Sequence, residues 1–477
     1  MESTLGEALC TLCSTSFNIA RVRTLDEPES ASWCSLGPEA WPTAEHQLWP
    51  CSTKETGCWY YYREEAQNST IYQDSQFNPD PDDHLFCDWT KATPPVEGDW
   101  LPVDPKFKPK PGAACVHLED VEHVAGPRCR YPDAYIGNHI SVEEMQGCQT
   151  LQCLVRKPQR WEPAADDQEI ERESDYFLSG ICTGVHNREG RALVTPVRHG
   201  VPEVGHKCPA IDDFDVDSDE LPFHPWCFGT WIKLTRLRLG YVAVNDLVNF
   251  FRHRNAQAFM PILSHFKHLS RRWVHTQGEE WLSANPFYVP QLRNFLEEAM
   301  SVPPSFSPHD SAFRSSPRAS TDIFARLPLE LQHMVLEYLP NRDIAFLRQA
   351  SRTFHHLPVF LWYRLLRRDM PWLWEVWSED PPYFWATVTE KDLEDHEKEG
   401  INIPLLSGPV VRLVVSHTID IKKHLAPWTF PKPPRYRTNW FMLYRDIKKN
   451  WTNLKGLRNR KRIWEFQTQL LDLMSLG

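Results

Sequence analysis

The sequence predicts an α+β fold divided into several domains. A chain of 477 residues is too long for one ordinary core, and two or three domains are the natural expectation. All 13 cysteines lie between Cys10 and Cys227, whereas residues 322–370 have apolar side chains at helical spacing. The predicted segments are a cysteine-rich module (1–232), a helical segment packed on it (233–300), a flexible linker (301–321), a three-helix segment (322–370) and a Trp-rich C-terminal module (371–477).

Composition excludes several classes of protein. Hydrophobic residues make up 41% of the chain and charged residues 24%, which is typical of a globular protein. The net charge of −11 argues against a general nucleic-acid binder. Residues 1–13 lack the pattern of a secretory signal, and no apolar run is long enough for a transmembrane helix. We therefore expect no membrane association and a cytoplasmic or nuclear location, or both.

The cysteines indicate a metal site in the N-terminal module. Their number is odd and no signal peptide is expected, so reduced thiols are favoured over a disulfide scaffold. Cys10 and Cys13 have the spacing of a zinc knuckle, and His224 and Cys227 can add two ligands from the first turn of a helix. This Cys₃His set predicts a closed, structural zinc site, arranged like a treble clef with a long insertion. The alternative is a core of buried thiols in which the backbone satisfies His224.

Other cysteines and histidines form only loose pairs. For most individual cysteines, a buried thiol that packs as a small hydrophobe is the commoner explanation. Spacings that loosely resemble metal sites occur at Cys51 and Cys58, at Cys115 and His117, and at His123 and Cys129.

Several helices are predicted after the acidic run at 211–220. One begins near His224, another spans 244–254, and Pro261 opens a third that runs to Trp273. Asn285 is predicted to cap a fourth, in which Leu292, Phe295, Leu296 and Ala299 share a face. Residues 301–321 are rich in Ser and Pro and predict a flexible linker. Further along, 410–415 resembles a strand and 461–473 a helix.

The segment 322–370 combines a Leu-Pro start with three short amphipathic helices. Apolar positions repeat at helical spacing, Pro340 and Asp343 separate the first two helices, and a third is expected over 358–368. About fifty residues form too small a core to bury all these faces, so a partner helix is expected. The residues predicted to contact that partner are Leu327, Pro328, Leu331, Val335, Leu339, Ile344, Leu347 and Phe354.

This pattern resembles the F-box. The match runs in register from Leu327-Pro328 through Asp343-Ile344 to Phe354. The resemblance implies binding to the Skp adaptor and, through it, to a cullin–RING ubiquitin ligase. The alternative is a helical hairpin that packs internally.

The chain also resembles a large group of fungal F-box proteins of unassigned substrate. The shared motifs are 10–23, which begins with the CxxC at Cys10, then 26–28, 123–129, 140–148, the HxxC at His224, 439–444 and 456–464. They indicate the group but not an activity.

No motif indicates catalysis. The sequence has no Walker-type phosphate loop, no GxSxG and no HExxH, so we expect no enzyme and assign no catalytic residue. The leading hypothesis is a substrate-recognition subunit of an SCF-type ubiquitin ligase that binds an unidentified protein. The alternative is an F-box-bearing zinc regulator that contacts nucleic acid or chromatin through the basic run 448–462. Such runs are more often solvated or salt-bridged faces.

Overall fold

The computed structural model of the chain describes eight main ranges and a few short pieces between them. The ranges are 9–32 (except 18), 56–62, 121–157 (except 132 and 133), 168–182, 220–253, 276–309, 322–388 (except 356) and 430–475. The short pieces are 86–87, 116–117, 159, 161, 193–194 and 207–208.

Helices and strands both occur, as predicted, and the strands found in the described ranges lie between Arg21 and Phe223. The strands are β1 Arg21–Val22, β2 Trp59–Tyr62, β3 Phe86–Cys87, β4 Val116–His117, β5 Val121–Val124, β6 Tyr135–Ile136, β7 Leu151–Arg156, β8 Tyr176–Cys182, β9 Leu193–Val194, β10 Lys207–Cys208 and β11 Glu220–Phe223. The α-helices are α1 Val142–Met145, α2 Glu169–Glu173, α3 Pro225–Leu239, α4 Val244–His253, α5 Pro290–Met300, α6 Leu329–Tyr338, α7 Asn341–Ala350, α8 Val359–Asp369, α9 Trp440–Lys449 and α10 Lys455–Met474. The 3₁₀ turns are Glu29–Ala31, Glu280–Ser283, Ile323–Arg326, Thr353–His355, Trp374–Val376, Phe384–Ala386 and Trp451–Asn453. None of the helices in the described ranges combines the length and the apolar character needed to cross a bilayer.

Contacts divide the chain into two compact units. The first comprises Met1–Pro225, Val244–Ala284 and Thr389–His424, and the second comprises Trp226–Ala243, Asn285–Val388 and Leu425–Gly477. These limits differ from the predicted segments, since 285–300 falls in the same unit as 322–370. The predicted segment boundaries therefore stay a prediction.

The first unit is built on small sheets. Strand β7 lies between β11 and β8 and is antiparallel to both, with Leu154 opposite both Leu221 and Leu178. All three leucines are buried, so this sheet forms a core. Strand β2 pairs antiparallel with β5, with Tyr60 opposite His123. Strand β1 pairs parallel with β6.

The second unit is helical and rich in aromatic contacts. On α8, Tyr363 and Trp362 pack against α9, with ring centroids 5.0 Å from Trp440 and 4.9 Å from Tyr444. The N–H of Asn439 at the start of α9 donates to Ala299 O at the end of α5, at 2.8 Å. The third helix of 322–370 therefore packs against α9.

Most predicted helices in the described ranges are confirmed, with one correction. Helix α3 begins at Pro225, and α4 spans Val244–His253. The predicted cap at Asn285 is wrong, because α5 begins at Pro290. Asn285 Oδ1 instead accepts hydrogen bonds from the backbone N–H groups of Phe287 and Tyr288, at 2.7 and 3.1 Å, and closes a turn before the helix.

The remaining predictions fall only partly within the residues that the structure describes. Helix α10 begins at Lys455, ahead of the predicted Lys461, and extends to Met474. In the predicted linker, 301–309 is described, and Phe360 N donates to Pro308 O at 2.9 Å. The predictions for 261–273, for 310–321 and for 410–415 fall outside the described residues.

Candidate functional site

The carboxylate of Asp322 connects the beginning of the three-helix segment to residues after α7 by hydrogen bonds. Asp322 Oδ2 accepts hydrogen bonds from Ser351 Oγ at 2.6 Å and from Thr353 N at 2.9 Å, while Oδ1 accepts one from Phe324 N at 3.0 Å. The hydrogen bond from Ser351 and those from the backbone hold the pKa of Asp322 well below its usual range. Asp322 thus joins the turn before α6 to the residues that follow α7.

A buried glutamine fixes the entry into α6. Gln332 is 5% exposed, and its Nε2 donates to Leu327 O at 2.8 Å and to Phe324 O at 3.3 Å. These carbonyls belong to the 3₁₀ turn and its cap, so the Leu-Pro pair is held at the N-terminus of the helix.

Two of the predicted partner-binding residues lie inside the segment's own core. Ile344 and Phe354 are 4% and 1% exposed and pack with buried residues of α6 and α8, whereas Val335, Leu339 and Leu347 are half-buried against the same cluster. The burial of Ile344 and Phe354 therefore assigns them to holding the three helices together.

The other predicted residues are more accessible. Leu327 is half-buried, Pro328 is exposed, and Leu331 is 44% exposed. Other exposed apolar side chains of the same segment were not among the predicted residues. They are Ile323, Leu329, Met334, Tyr338 and Phe346. The available signal was the spacing of Leu331, Met334 and Tyr338 along α6, at intervals of three and four residues.

The predicted zinc ligands come together. One ligand atom from each of Cys10, Cys13, His224 and Cys227 lies within 4.8 Å of the other three, and all four residues are buried. His224 and Cys227 are one helical turn apart where β11 leads into α3, so local geometry fixes their relative placement. Cys227 lies in the first turn of α3, where the helix dipole favours a thiolate.

The segment Cys10–Cys13 forms a tight turn against the end of β11. Cys13 N and Ser14 N donate to Cys10 O at 3.3 and 2.8 Å, and Ser14 has a left-handed backbone with φ 57°. Thr11 N donates to Pro222 O at 3.1 Å. His224 N donates to Cys10 Sγ at 3.3 Å, a contact that stabilises a sulfur carrying negative charge.

The His224 ring is oriented for coordination through Nδ1. Its Nε2 lies 3.0 Å from the carbonyl oxygen of Cys148, which can only accept a hydrogen bond, so Nε2 carries the proton. Nδ1 then presents its lone pair, 3.5 Å from Cys13 Sγ. Tetrahedral zinc, with Zn–S about 2.3 Å and Zn–N about 2.1 Å, would place these atoms about 3.6 Å apart. A carbonyl behind the coordinating ring is the usual outer partner of a metal-bound histidine.

Cys148 itself is outside this group of ligands. Burial raises the pKa of its thiol to about 12, which is the behaviour of an inert core cysteine. A second group, Cys58, His123 and Cys129, also has ligand atoms within 4.8 Å of one another.

The basic run near the C-terminus is partly buried. Arg460 and Arg462, on α10, are 0% and 4% exposed, and Arg460 pairs with Glu375. Because these two arginines are buried, their charges are not accessible to phosphate groups, which weakens the nucleic-acid interpretation of the run 448–462.

Comparisons with known proteins agree with the geometry of the three-helix segment. Comparison with curated proteins and with solved structures gives no significant match. Residues 324–358 match the family model of the F-box domain. This range includes α6 and α7 and ends one residue before α8, so the chain contains an F-box domain at 324–358.

Proposed function

We propose that this chain is the substrate-recognition subunit of an SCF-type cullin–RING E3 ubiquitin ligase and binds the Skp adaptor through its F-box. The observation that carries the proposal is the exposed apolar surface at Leu327–Leu331 and along α6, within the residues that match the F-box model. The chain would supply positioning, and other subunits would perform ubiquitin transfer.

The physical support is the uneven burial of the apolar side chains. The core between α6, α7 and α8 takes up Leu336, Ile344 and Phe354. Leu331, Met334 and Tyr338 remain 44%, 48% and 83% exposed on one face of α6. A contiguous apolar face of this kind is typical of a protein-binding surface, and an amphipathic helix of a partner fits it.

The test is adaptor binding by the full chain. Leu327→Ala combined with Pro328→Ala removes two side chains that precede α6, so the helices should keep their circular dichroism. Truncating buried interface anchors commonly costs about 2 kcal/mol or more apiece, so the pair should lower adaptor affinity by roughly a hundredfold or more. Affinity for the recombinant Skp adaptor is measured by calorimetry.

A matched control is available on α3. Leu237 and Leu239 are each 42% exposed, close to the value for Leu331, and they lie outside the F-box match. Their double change to alanine should leave adaptor affinity unchanged. Failure of the wild-type chain to bind the adaptor, or equal binding by the Leu327→Ala, Pro328→Ala variant, would contradict the proposal.

The substrate is a separate question that the same variant can address. A chain that folds but does not bind the adaptor would hold its substrate without promoting ubiquitin transfer. Affinity capture with this variant, compared with the wild type, should enrich the substrate protein. Salt-dependent binding to nucleic acid in place of a protein would instead favour the chromatin or RNA alternative.

We also propose that Cys10, Cys13, His224 and Cys227 hold a structural zinc ion. The closed four-ligand set, the short Cys13–His224 distance and the carbonyl behind His224 support it. Zinc bound there would stabilise the cysteine-rich region, and no open coordination position is needed.

A further inference from the structure

Two loops of the first unit approach each other unusually closely beside the β2–β5 pair. Arg128 N donates to Thr56 O at 3.2 Å, which ties the loop 126–129 to the residues before β2. A Cβ built on Gly126 would lie 2.2 Å from the backbone carbon of Gly57, so only glycine fits at that position. Gly57 itself has a positive φ of 72°. The backbone is thus arranged to bring Cys58 towards Cys129.

The pairing of β2 with β5 adds a histidine to these two cysteines. Trp59 is opposite Val124 and Tyr60 is opposite His123, so Cys58 lies just ahead of the strand that faces His123. Cys129 Sγ is 3.8 Å from His123 Nε2, near the roughly 3.6 Å expected for a sulfur and a nitrogen on one tetrahedral zinc ion. One ligand atom from each of the three residues lies within 4.8 Å of the others.

We propose that Cys58, His123 and Cys129 hold a second divalent ion of the zinc class, separate from the group at Cys10. The described residues supply three ligands, of the four that tetrahedral zinc takes. Thiolate and imidazole ligands favour zinc over the oxygen-preferring Mg²⁺ and Ca²⁺. The inference does not depend on the proposed ligase function.

The competing explanation is a pair of buried thiols that pack as small hydrophobes. Cys58 and Cys129 are each 1% exposed and lie among apolar residues, which suits either explanation. Two contacts favour the metal. Gly126 N donates to Cys58 Sγ at 3.4 Å, an arrangement that stabilises negative charge on sulfur, and an imidazole nitrogen faces the sulfur of Cys129. Binding of the ion would release one proton from each of the two thiols.

Metal content of the full chain tests the proposal. After dialysis against metal-free buffer, the wild type should retain about two zinc ions per chain, one for each ligand group. Cys58→Ser combined with Cys129→Ser should retain about one. The matched control is Cys153→Ser, which changes a fully buried cysteine of β7 that belongs to neither group, and it should retain both ions.

A second set of variants covers the case in which the double serine variant does not fold. His123→Ala should lose one ion, and His123→Cys should keep it, because a thiolate can replace the imidazole at zinc. Reconstituted with Co²⁺, the His123→Cys chain should show stronger sulfur-to-cobalt charge-transfer absorption than the wild type, because one more thiolate binds the ion.

Two results would overturn the proposal. One is a wild-type chain whose metal disappears completely when Cys10 and Cys13 are changed to serine, while the His123→Ala chain keeps the wild-type content. The other is a Cys58–Cys129 disulfide in the peptide map of the purified, non-reduced protein.

Discussion

Arg460 brings a full positive charge into the interior of the second unit. Its side chain is 0% exposed, and Nη1 contacts both carboxylate oxygens of Glu375 at 2.8 and 2.9 Å. Nε donates to Pro286 O at 2.7 Å, and the guanidinium lies 3.8 Å from the ring centroid of Trp374. Each contact replaces part of the hydration that burial removes, so the charge is tolerated only while its acid is present.

Neutralising that acid should therefore be costly. We expect Glu375→Gln to lower the free energy of unfolding by about 3–5 kcal/mol, the usual cost of leaving a buried charge without its partner. The matched control is Glu465→Gln, which breaks the pair with Lys461, whose two side chains are each 44% exposed. That change should cost under about 1 kcal/mol. Urea denaturation measures both, and equal losses would show that burial does not set the energy of these pairs.

Lys233 gives the second unit a pH-dependent stability. Its Nζ donates to Ser378 Oγ at 2.8 Å and to Asp380 O at 2.7 Å, and its side chain is 3% exposed. Burial lowers the pKa of Lys233 to about 8, against the opposing effect of the Asp380 charge. Because the folded state then binds fewer protons than the unfolded state, stability should rise between pH 8 and the ordinary lysine pKa of about 10.4, and fall as the pH returns to 8.

Replacement of Lys233 by methionine isolates this effect. Relative to Lys233→Met, the wild type should gain up to about 1.4 kcal/mol of unfolding free energy per pH unit across that window, and the difference should be flat below it. Lys461→Met is the matched control, since this lysine is 44% exposed, and its difference from the wild type should stay nearly constant. A flat difference for Lys233→Met as well would contradict the lowered pKa.

At the scale of elements, periodicity predicted helices well but not which face meets a partner. The spacing of Leu331, Val335 and Leu339 suggested a single binding face, yet Leu339 is the C-terminal cap of α6 and Val335 is half-buried against the helical core. The exposed line of α6 is Leu331, Met334 and Tyr338 instead. An amphipathic pattern identifies apolar positions, but it does not separate those that pack internally from those left exposed. The same apolar residue types, such as Leu, Ile and Met, occur at both kinds of position.

This difference gives an element-scale prediction. Leu331→Ala combined with Met334→Ala should weaken adaptor binding by tenfold or more while the melting temperature stays close to that of the wild type, because both side chains are exposed in the free chain. Ile344→Ala should instead lower the free energy of unfolding by about 2–5 kcal/mol, because it empties a buried position. Calorimetric binding and thermal melts of the two variants test this, and the reverse outcome would mean that burial does not separate the two roles.

At the scale of the whole molecule, the sequence carries local signals for which thiols and imidazoles come together, but none for which helices share a core. Paired spacing at Cys10–Cys13 and at His224–Cys227 predicted a group that the fold does bring together, because thiol and imidazole pairs have a recognisable local signature. The assembly of α8 with α9 has no such signature, since aromatic contacts such as Tyr363–Trp440 form between segments far apart in sequence. The group of Cys58, His123 and Cys129 was harder still to predict from the sequence, because the pairing of β2 with β5 is what brings Cys58 close to the other two residues.

From the arrangement of Cys10, Cys13, His224 and Cys227, we predict that zinc binding stabilises the folded state. His224 N donates to Cys10 Sγ across 214 residues of sequence, so an ion bound here closes a very long loop. A ligand that binds only the folded state adds about 4 kcal/mol of stability at a thousand times its dissociation constant, and more at higher excess. In a domain of about 200 residues, each 1 kcal/mol raises the melting temperature by about 2–4 °C, so a gain of about 4 kcal/mol corresponds to a rise of about 10 °C. We therefore expect a chelator to lower the melting temperature by that amount or more, and added Zn²⁺ to restore it.

The response of this group can be separated from that of the second group. In a chain that already carries Cys58→Ser and Cys129→Ser, zinc should still raise the melting temperature, and the further pair Cys13→Ser and Cys227→Ser should abolish the rise. Cys153→Ser in the same background is the matched control, because Cys153 is equally buried and belongs to neither group, so the zinc response should persist. If the chain lacking Cys13 and Cys227 kept the full response, the ion would have to be held elsewhere and the Cys₃His assignment would be wrong.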